Sequence, residues 1–173
     1  MAENHAEKTY SKSTTRECIE AIIIAFLLAF FIRAFVVQAF KIPSGSMKPT
    51  LLVGDHILVS KFMYGIKIPF VEKDLVRFSD PGRQDIIVFR YPVDPSKDFI
   101  KRVIGLPGDK VRIEDKKVYV NDKLLNEPYA VHTDKRILPS NVSPRDNMAT
   151  IIVPPNNLFV MGDNRDESYD SRF

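Results

Sequence analysis

From Ala21 to Ile32 the chain is an unbroken run of alanine, isoleucine, leucine and phenylalanine. Arg33 interrupts it, and Ala34 to Val37, Gln38 and Ala39-Phe40 carry it to about 20 residues, roughly a bilayer core when helical. A run of this length has three uses: a membrane anchor, the apolar core of a cleaved signal peptide, or a helix buried in a soluble protein. The anchor is the favoured reading. Glu20 and Arg33 are its weak points, although the Arg33 stem can carry its charge to the headgroups. The cleaved-segment alternative rests on the preceding basic residues and on Val37-Gln38-Ala39, which has a small-residue cleavage pattern. Lys8, Lys12 and Arg16 precede the run and Lys41, Lys48 and Lys61 follow it, so charge does not orient the segment.

This run divides the chain into a polar tail over residues 1–16, an anchor over 17–39 and a domain over 40–173. About 130 residues remain for that domain, enough for one core. Its texture is extended. His56 to Ser60, Asp85 to Tyr91 and Phe99 to Ile104 read as strands, and Lys110 to Glu114 with Lys117 to Asn121 as a hairpin around Asp115-Lys116. Phe62 to Phe70 is an aromatic-rich loop or short strand, suited to core packing or an interfacial contact, and Val71 to Arg83 is a polar connector. Leu125 to Pro155 is rich in proline, and Thr150 to Val153 and Leu158 to Met161 are further short strands. The expected fold is mainly β: one transmembrane helix, then a coiled antiparallel sheet or partly closed barrel.

Several functions are disfavoured. The net charge is +3 with basic residues scattered, which gives no reason to propose nucleic acid as a partner. Cys18 is the only cysteine, so no internal disulfide or cysteine-based zinc site is available. His5, His56 and His132 lack metal-ligand spacing. Gly105-Leu106-Pro107-Gly108 has the wrong spacing for a phosphate loop.

Directly after the apolar run, Pro43 and Pro49 close in Ser44-Gly45-Ser46. The bland reading is a turn between helix and domain; the sharper one is a nucleophilic serine at a membrane surface. A serine hydroxyl needs a base, and no histidine has a suggestive context. A lysine can serve if desolvation keeps it neutral. On the expected strand, Phe99, Lys101 and Val103 share one face, and Ile100, Arg102 and Ile104 the other. Arginine stays protonated, so Lys101 can be a base and Arg102 cannot; an edge-strand lysine that discourages aggregation explains Lys101 equally. Gly162 to Arg172, dense in Asp, Asn, Ser and Arg, reads as a solvated turn or as a buried polar scaffold around a charged residue.

Four segments in this order, Pro43 to Leu51 (PSGSMKPTL), Gly82 to Pro92 (GRQDIIVFRYP), Lys101 to Asp109 (KRVIGLPGD) and Gly162 to Arg172 (GDNRDESYDSR), resemble the type I signal peptidases, membrane-bound serine/lysine proteases. The resemblance implies Ser46 as nucleophile and Lys101 as general base. It implies that the Ser44 hydroxyl and the Ser46 backbone N–H stabilise the oxyanion. It makes Ser168 the serine that orients the base, and Asp170, with Arg172 and Arg102, a supporting ion-pair cluster. The implied substrates are signal peptides of exported preproteins, cut after small residues. By position, Phe40, Ile42, Leu51, Ile57, Val88 and Ile100 are pocket-wall candidates. No metal or organic cofactor is implied. The implied setting is a bacterial cell membrane, with contact to membrane lipid, the tail in the cytoplasm and the β domain outside. Relatives continue past the last segment, so strands beyond Phe173 are implied; the short Lys110 to Met161 interval suits a compact, single-anchor form. Two other readings stay open: a self-cleaving serine/lysine repressor-type protease, and a membrane-anchored β domain made inactive by missing C-terminal strands.

Overall fold

The computed structural model describes residues 14–60, 66–67, 74–76 and 79–173. Helix α1 spans Thr14–Phe31 and buries none of its residues. Its apolar side chains face outward on every side, with Ile22 68% and Phe26 71% exposed. Arg16 and Glu20 form an i,i+4 ion pair of 2.9 Å near its start. The helix is shorter than the anchor expected over 17–39. After Phe31 the backbone widens into a π-helical turn over Ile32–Val36 and then extends as β1, Val37–Lys41. Apolar continuity hides this switch in the sequence. The β-branched pair Val36-Val37 favours extended backbone, and β1 gains a ladder with β2, His56–Ser60, from Val37↔Ser60 to Lys41↔His56. Val37-Gln38-Ala39 therefore lies within a ribbon. Among the described residues no helix is long and apolar enough to cross a membrane.

Strands β3, Ile66–Lys67, and β4, Asp74–Val76, pair as a second antiparallel ribbon, the first within the expected loop or short strand and the second where a polar connector was expected. Most of the aromatic-rich stretch (61–65 and 68–70), with Lys61, lies outside the described residues, as do 71–73 and residues 1–13 of the expected tail.

The site is carried by a three-stranded sheet. Strand β5, Ile86–Arg90, pairs with β6, Asp98–Gly105, placing Ile87 opposite Lys101 and Phe89 opposite Phe99. Beyond β6, four strands form another sheet: β7, Lys110–Glu114; β8, Lys117–Val120; β9, Lys123–Leu124; and β10, Met148–Ile152, in the order β10-β7-β8-β9. Asp115 and Lys116 both take left-handed φ, 46° and 69°, the twist a two-residue hairpin needs. Asn121 and Asp122 repeat the device at 51° and 64°, which adds β9, unanticipated from the sequence. Strand β11, Phe159–Met161, then returns to the free side of β6.

Alternation on β7 and β8 turns Val111, Ile113, Val118 and Val120 inward, where they meet Ile104, Val153, Phe159 and Met161. Burying each such side chain contributes about 1.5–3 kcal/mol. The sheets are antiparallel, but among the described residues they do not close into a barrel. β11 is three residues long, shifts register between Phe159 and Val160, and among the described residues is an edge of its sheet, bonded to β6 alone. After β11 the chain doubles back, and residues 162–172 lay a buried polar layer beside β6.

Candidate active site

On β6, Lys101 and Val103 are buried, 4% and 0% exposed, whereas Ile100 and Arg102 are only partly so. Period-two geometry thus sends the lysine inward among apolar groups. Ser46 arrives from a different region. The chain leaves β1, buries Ile42, and tightens into one 3-10 turn over Gly45–Met47 that buries Ser46 and Met47. Backbone bonds from Ile42 N to Asp55 O and from Gly54 N to Ile42 O, both 2.9 Å, tie the base of this loop. Its tip is held by Asn164: the backbone N–H donates to Ser46 O at 3.0 Å, and the side-chain Nδ2 donates to Gly45 O at 3.4 Å.

The two elements bring Lys101 Nζ to 2.8 Å from Ser46 Oγ. An ammonium donates in this contact; once neutral, the amine accepts from the hydroxyl instead. Burial pushes the Lys101 pKa below the ordinary lysine range; Asp170 partly opposes this and Arg172 adds to it. Ser44 Oγ stands 3.4 Å from Ser46 Oγ.

The polar layer differs in part from the expected arrangement. Asp170 is gripped by Arg172, with Nε to Oδ1 and Nη2 to Oδ2 both 2.8 Å, and accepts from Gly162 N at 3.0 Å. Arg102 does not join this pair. It lies on the opposite face of β6 from Lys101 and grips Asp163 instead, at 2.8 Å from Nε and 2.7 Å from Nη2, under the Tyr129 ring 3.9 Å away. Ser168 is buried, and its hydroxyl makes no hydrogen bond, so the expected bond to Lys101 is not formed. The space around it is tight: a Cβ on Gly162 would overlap the Ser168 hydroxyl and Ser46 O, and would lie 2.6 Å from Ser168 Cβ. Only glycine permits this approach. Glu127, from the proline-rich stretch, forms a buried fork with Arg165, which also donates to Gly162 O at 3.0 Å. No sequence pattern pointed to Glu127, Tyr129 or Asp163 as partners.

Ser46 and Lys101 open into a cleft of about 380 Å³. Ile42, Pro43 and Ser44 line one side; Phe99, Ile100 and Tyr169 are also lining residues. Of the expected pocket residues, Ile42 and Ile100 therefore reach the cleft. Phe40, Ile57, Leu51 and Val88 do not line it. Phe40 and Ile57 are opposed within the β1–β2 ribbon, Val88 sits one strand further out opposite Ile100, and Leu51 follows the turn that its N–H closes onto Met47 O. Among the described residues no group of three or more His, Cys, Asp or Glu could hold a metal ion.

A family model described as signal peptidase, peptidase S26, matches residues 15–173. Signal peptidase I of Pseudomonas fluorescens is 41% identical over 181 residues, covering 89% of this chain and 64% of that protein. A probable signal peptidase I-2 of Synechocystis is 37% identical over 185 residues, covering 100% of this chain and 74% of that one. A crystal structure of a signal peptidase I from Enterococcus faecalis V583 shares 33% identity and a TM-score of 0.43, over 55% of this chain and 86% of that one. The chain thus spans under two thirds of the Pseudomonas protein's length.

Proposed function

Since this chain belongs to the signal peptidase family, peptidase S26, we propose that it is a serine endopeptidase that removes signal peptides from exported preproteins. The observation that carries the reading is the buried contact of 2.8 Å between Lys101 Nζ and Ser46 Oγ. In this reading neutral Lys101 takes the Ser46 proton as Oγ attacks the scissile carbonyl. The Ser46 N–H and the Ser44 hydroxyl stabilise the oxyanion. Lys101 then protonates the leaving amine, the acyl–Ser46 ester remains, and a water activated by Lys101 hydrolyses it. Asp170 and Arg172 hold the wall beside Lys101, Arg102 and Asp163 brace the other face of β6, and Ser168, unbonded among the described residues, is assigned the orienting of the amine once substrate is bound. Ile42 and Ile100 bound a space suited to small residues before the bond.

The same reading makes the exposed apolar helix and the turn after it the membrane attachment, with residues 1–16 cytoplasmic and the β domain on the outer side of a bacterial cell membrane. From Ala21 onward the helix is apolar all round and buries no residue, a surface that suits an apolar solvent.

One experiment covers both parts. The purified chain in detergent is incubated with a preprotein whose signal peptide ends in small residues, and product masses are read. Cleavage after the small residue is expected, with at least a tenfold loss when that residue is replaced by leucine; cleavage elsewhere would reject the substrate class. A chain lacking residues 14–36 should still cleave but leave the membrane fraction of cells; if it stays there, the attachment lies elsewhere.

A further inference from the structure

Residues 168–170 alternate. Ser168 and Asp170 are buried, 6% and 9% exposed, and Tyr169 between them turns outward, 56% exposed, to line the cleft. Its ring does not stand alone. Tyr91 stacks on Phe99 with centroids 4.4 Å apart and planes 7° from parallel. Tyr169 meets Tyr91 edge-on at 6.3 Å and stacks with Phe173 at 5.7 Å. Phe99 closes the series on the dyad side, its ring centroid 5.4 Å from Lys101 Nζ. The aromatic series thus starts at Phe99 beside the reacting groups and returns to the cleft at the exposed Tyr169 ring.

From this we infer that Tyr169 is a specificity-determining residue: its ring, braced by Tyr91 and Phe173, packs against a flat or apolar side chain of the bound peptide within two residues of the scissile bond. The near end of the reach is set by Phe99 on β6, and Tyr169 lines the same cleft one ring beyond, through Tyr91. Phe99 and Lys101 are two residues apart, about 6.6 Å at strand rise, and an extended peptide beside the strand advances at the same rate. A rigid ring costs little ordering entropy when a second one settles on it, and such pairs are selective by roughly two- to tenfold. Small residues are the requirement assigned to the proposed pocket beside Ile42 and Ile100; an aromatic preference at a neighbouring position is a separate property of this wall. The inference takes the identity of its ligand, a preprotein segment, from the peptidase reading.

The chain contains no tryptophan, so a tryptophan in a peptide reports binding without any turnover. The full chain carrying Ser46→Ala is titrated in detergent with peptides spanning a small-residue cleavage site. Each carries tryptophan or glycine at one position within two residues of the bond, the glycine peptides being read by competition. At one position the tryptophan peptide should bind three- to tenfold tighter than its glycine counterpart. Adding Tyr169→Ala should bring that ratio to about one, and Tyr169→Phe should keep it. An unchanged ratio with Tyr169→Ala, or no preference at any position, overturns the inference. If that happens while the parent chain cleaves the peptides, the peptidase reading survives alone. If the ratio collapses as expected while the parent cleaves nothing, the aromatic wall stands and the hydrolase reading falls.

Discussion

Replacing Lys101 by methionine is expected to lower kcat for preprotein cleavage by about 10⁴-fold while the fold is kept or made slightly more stable. The activity loss follows from removing the only group among the described residues within hydrogen-bond reach that can take the Ser46 proton; Arg102 is on the other face and stays charged. The stability effect has the opposite sign to a typical core substitution. Lys101 is 4% exposed, and the one hydrogen bond its amine makes among the described residues is to a neutral hydroxyl. A buried charge so thinly compensated is a cost, and an apolar side chain of similar length removes it. The sign with pH is definite. Burial lowers the folded-state pKa, so the unfolded chain binds more protons between that depressed value and the ordinary lysine range. Parent stability should therefore rise with pH across this window, and the methionine variant should lack that rise. Turnover assays together with thermal unfolding at several pH values check both halves. A variant that unfolds at neutral pH would show that the amine is held by more than the geometry describes.

Gly162→Ala is expected to damage activity and stability together. The added methyl group would overlap the Ser168 hydroxyl and the Ser46 carbonyl oxygen. The second of these cannot simply swing aside. It is backbone, held by Asn164 N at 3.0 Å, in the turn that presents the proposed nucleophile. Gly162 N is likewise tied to Asp170 at 3.0 Å and its carbonyl to Arg165 at 3.0 Å. Relief must therefore come from moving the Ser46 turn away from β6. Overpacking of this kind costs about 1–3 kcal/mol, and a displacement near 1 Å at the reacting atoms costs about 10²-fold in rate. The measurement is kcat and melting temperature of the variant beside the parent. A near-parental kcat would mean that the spacing between Ser46 and residues 162–168 is not what aligns the dyad.

The parts of this architecture written in short-range patterns were legible beforehand. The β7–β8 hairpin is announced by Asp115-Lys116 between alternating runs, and the grouping of Lys101 with Phe99 and Val103 on one face of β6 follows from period two, while the choice of that face rests on lysine chemistry. What depended on contacts between distant segments was not. The partner of Arg102 is Asp163, 61 positions away, and no local rule separates Asp163 from Asp170 as its counter-charge. Pocket walls suffered similarly: Phe40 and Ile57 carry the right chemistry, but they face each other in a ribbon whose register the sequence does not state. The helix end at Phe31 was missed because apolar residues continue through Phe40, and pairing with β2 rather than composition ends the helix. Tyr169 looked like one more residue of a polar segment until alternation between two buried neighbours turned it into the cleft.

In the proposed mechanism burial lowers the Lys101 pKa, and the amine is aimed at Ser46. The most direct measurement is the pH dependence of kcat/KM for preprotein cleavage by the purified chain, from mildly acidic conditions up to the ordinary lysine range. A single rising limb is expected, with its midpoint clearly below the value of an exposed lysine and with only background cleavage by Ser46→Ala throughout. A rate that does not vary with pH, or a limb centred where an exposed lysine titrates, would contradict a desolvated Lys101 as the base.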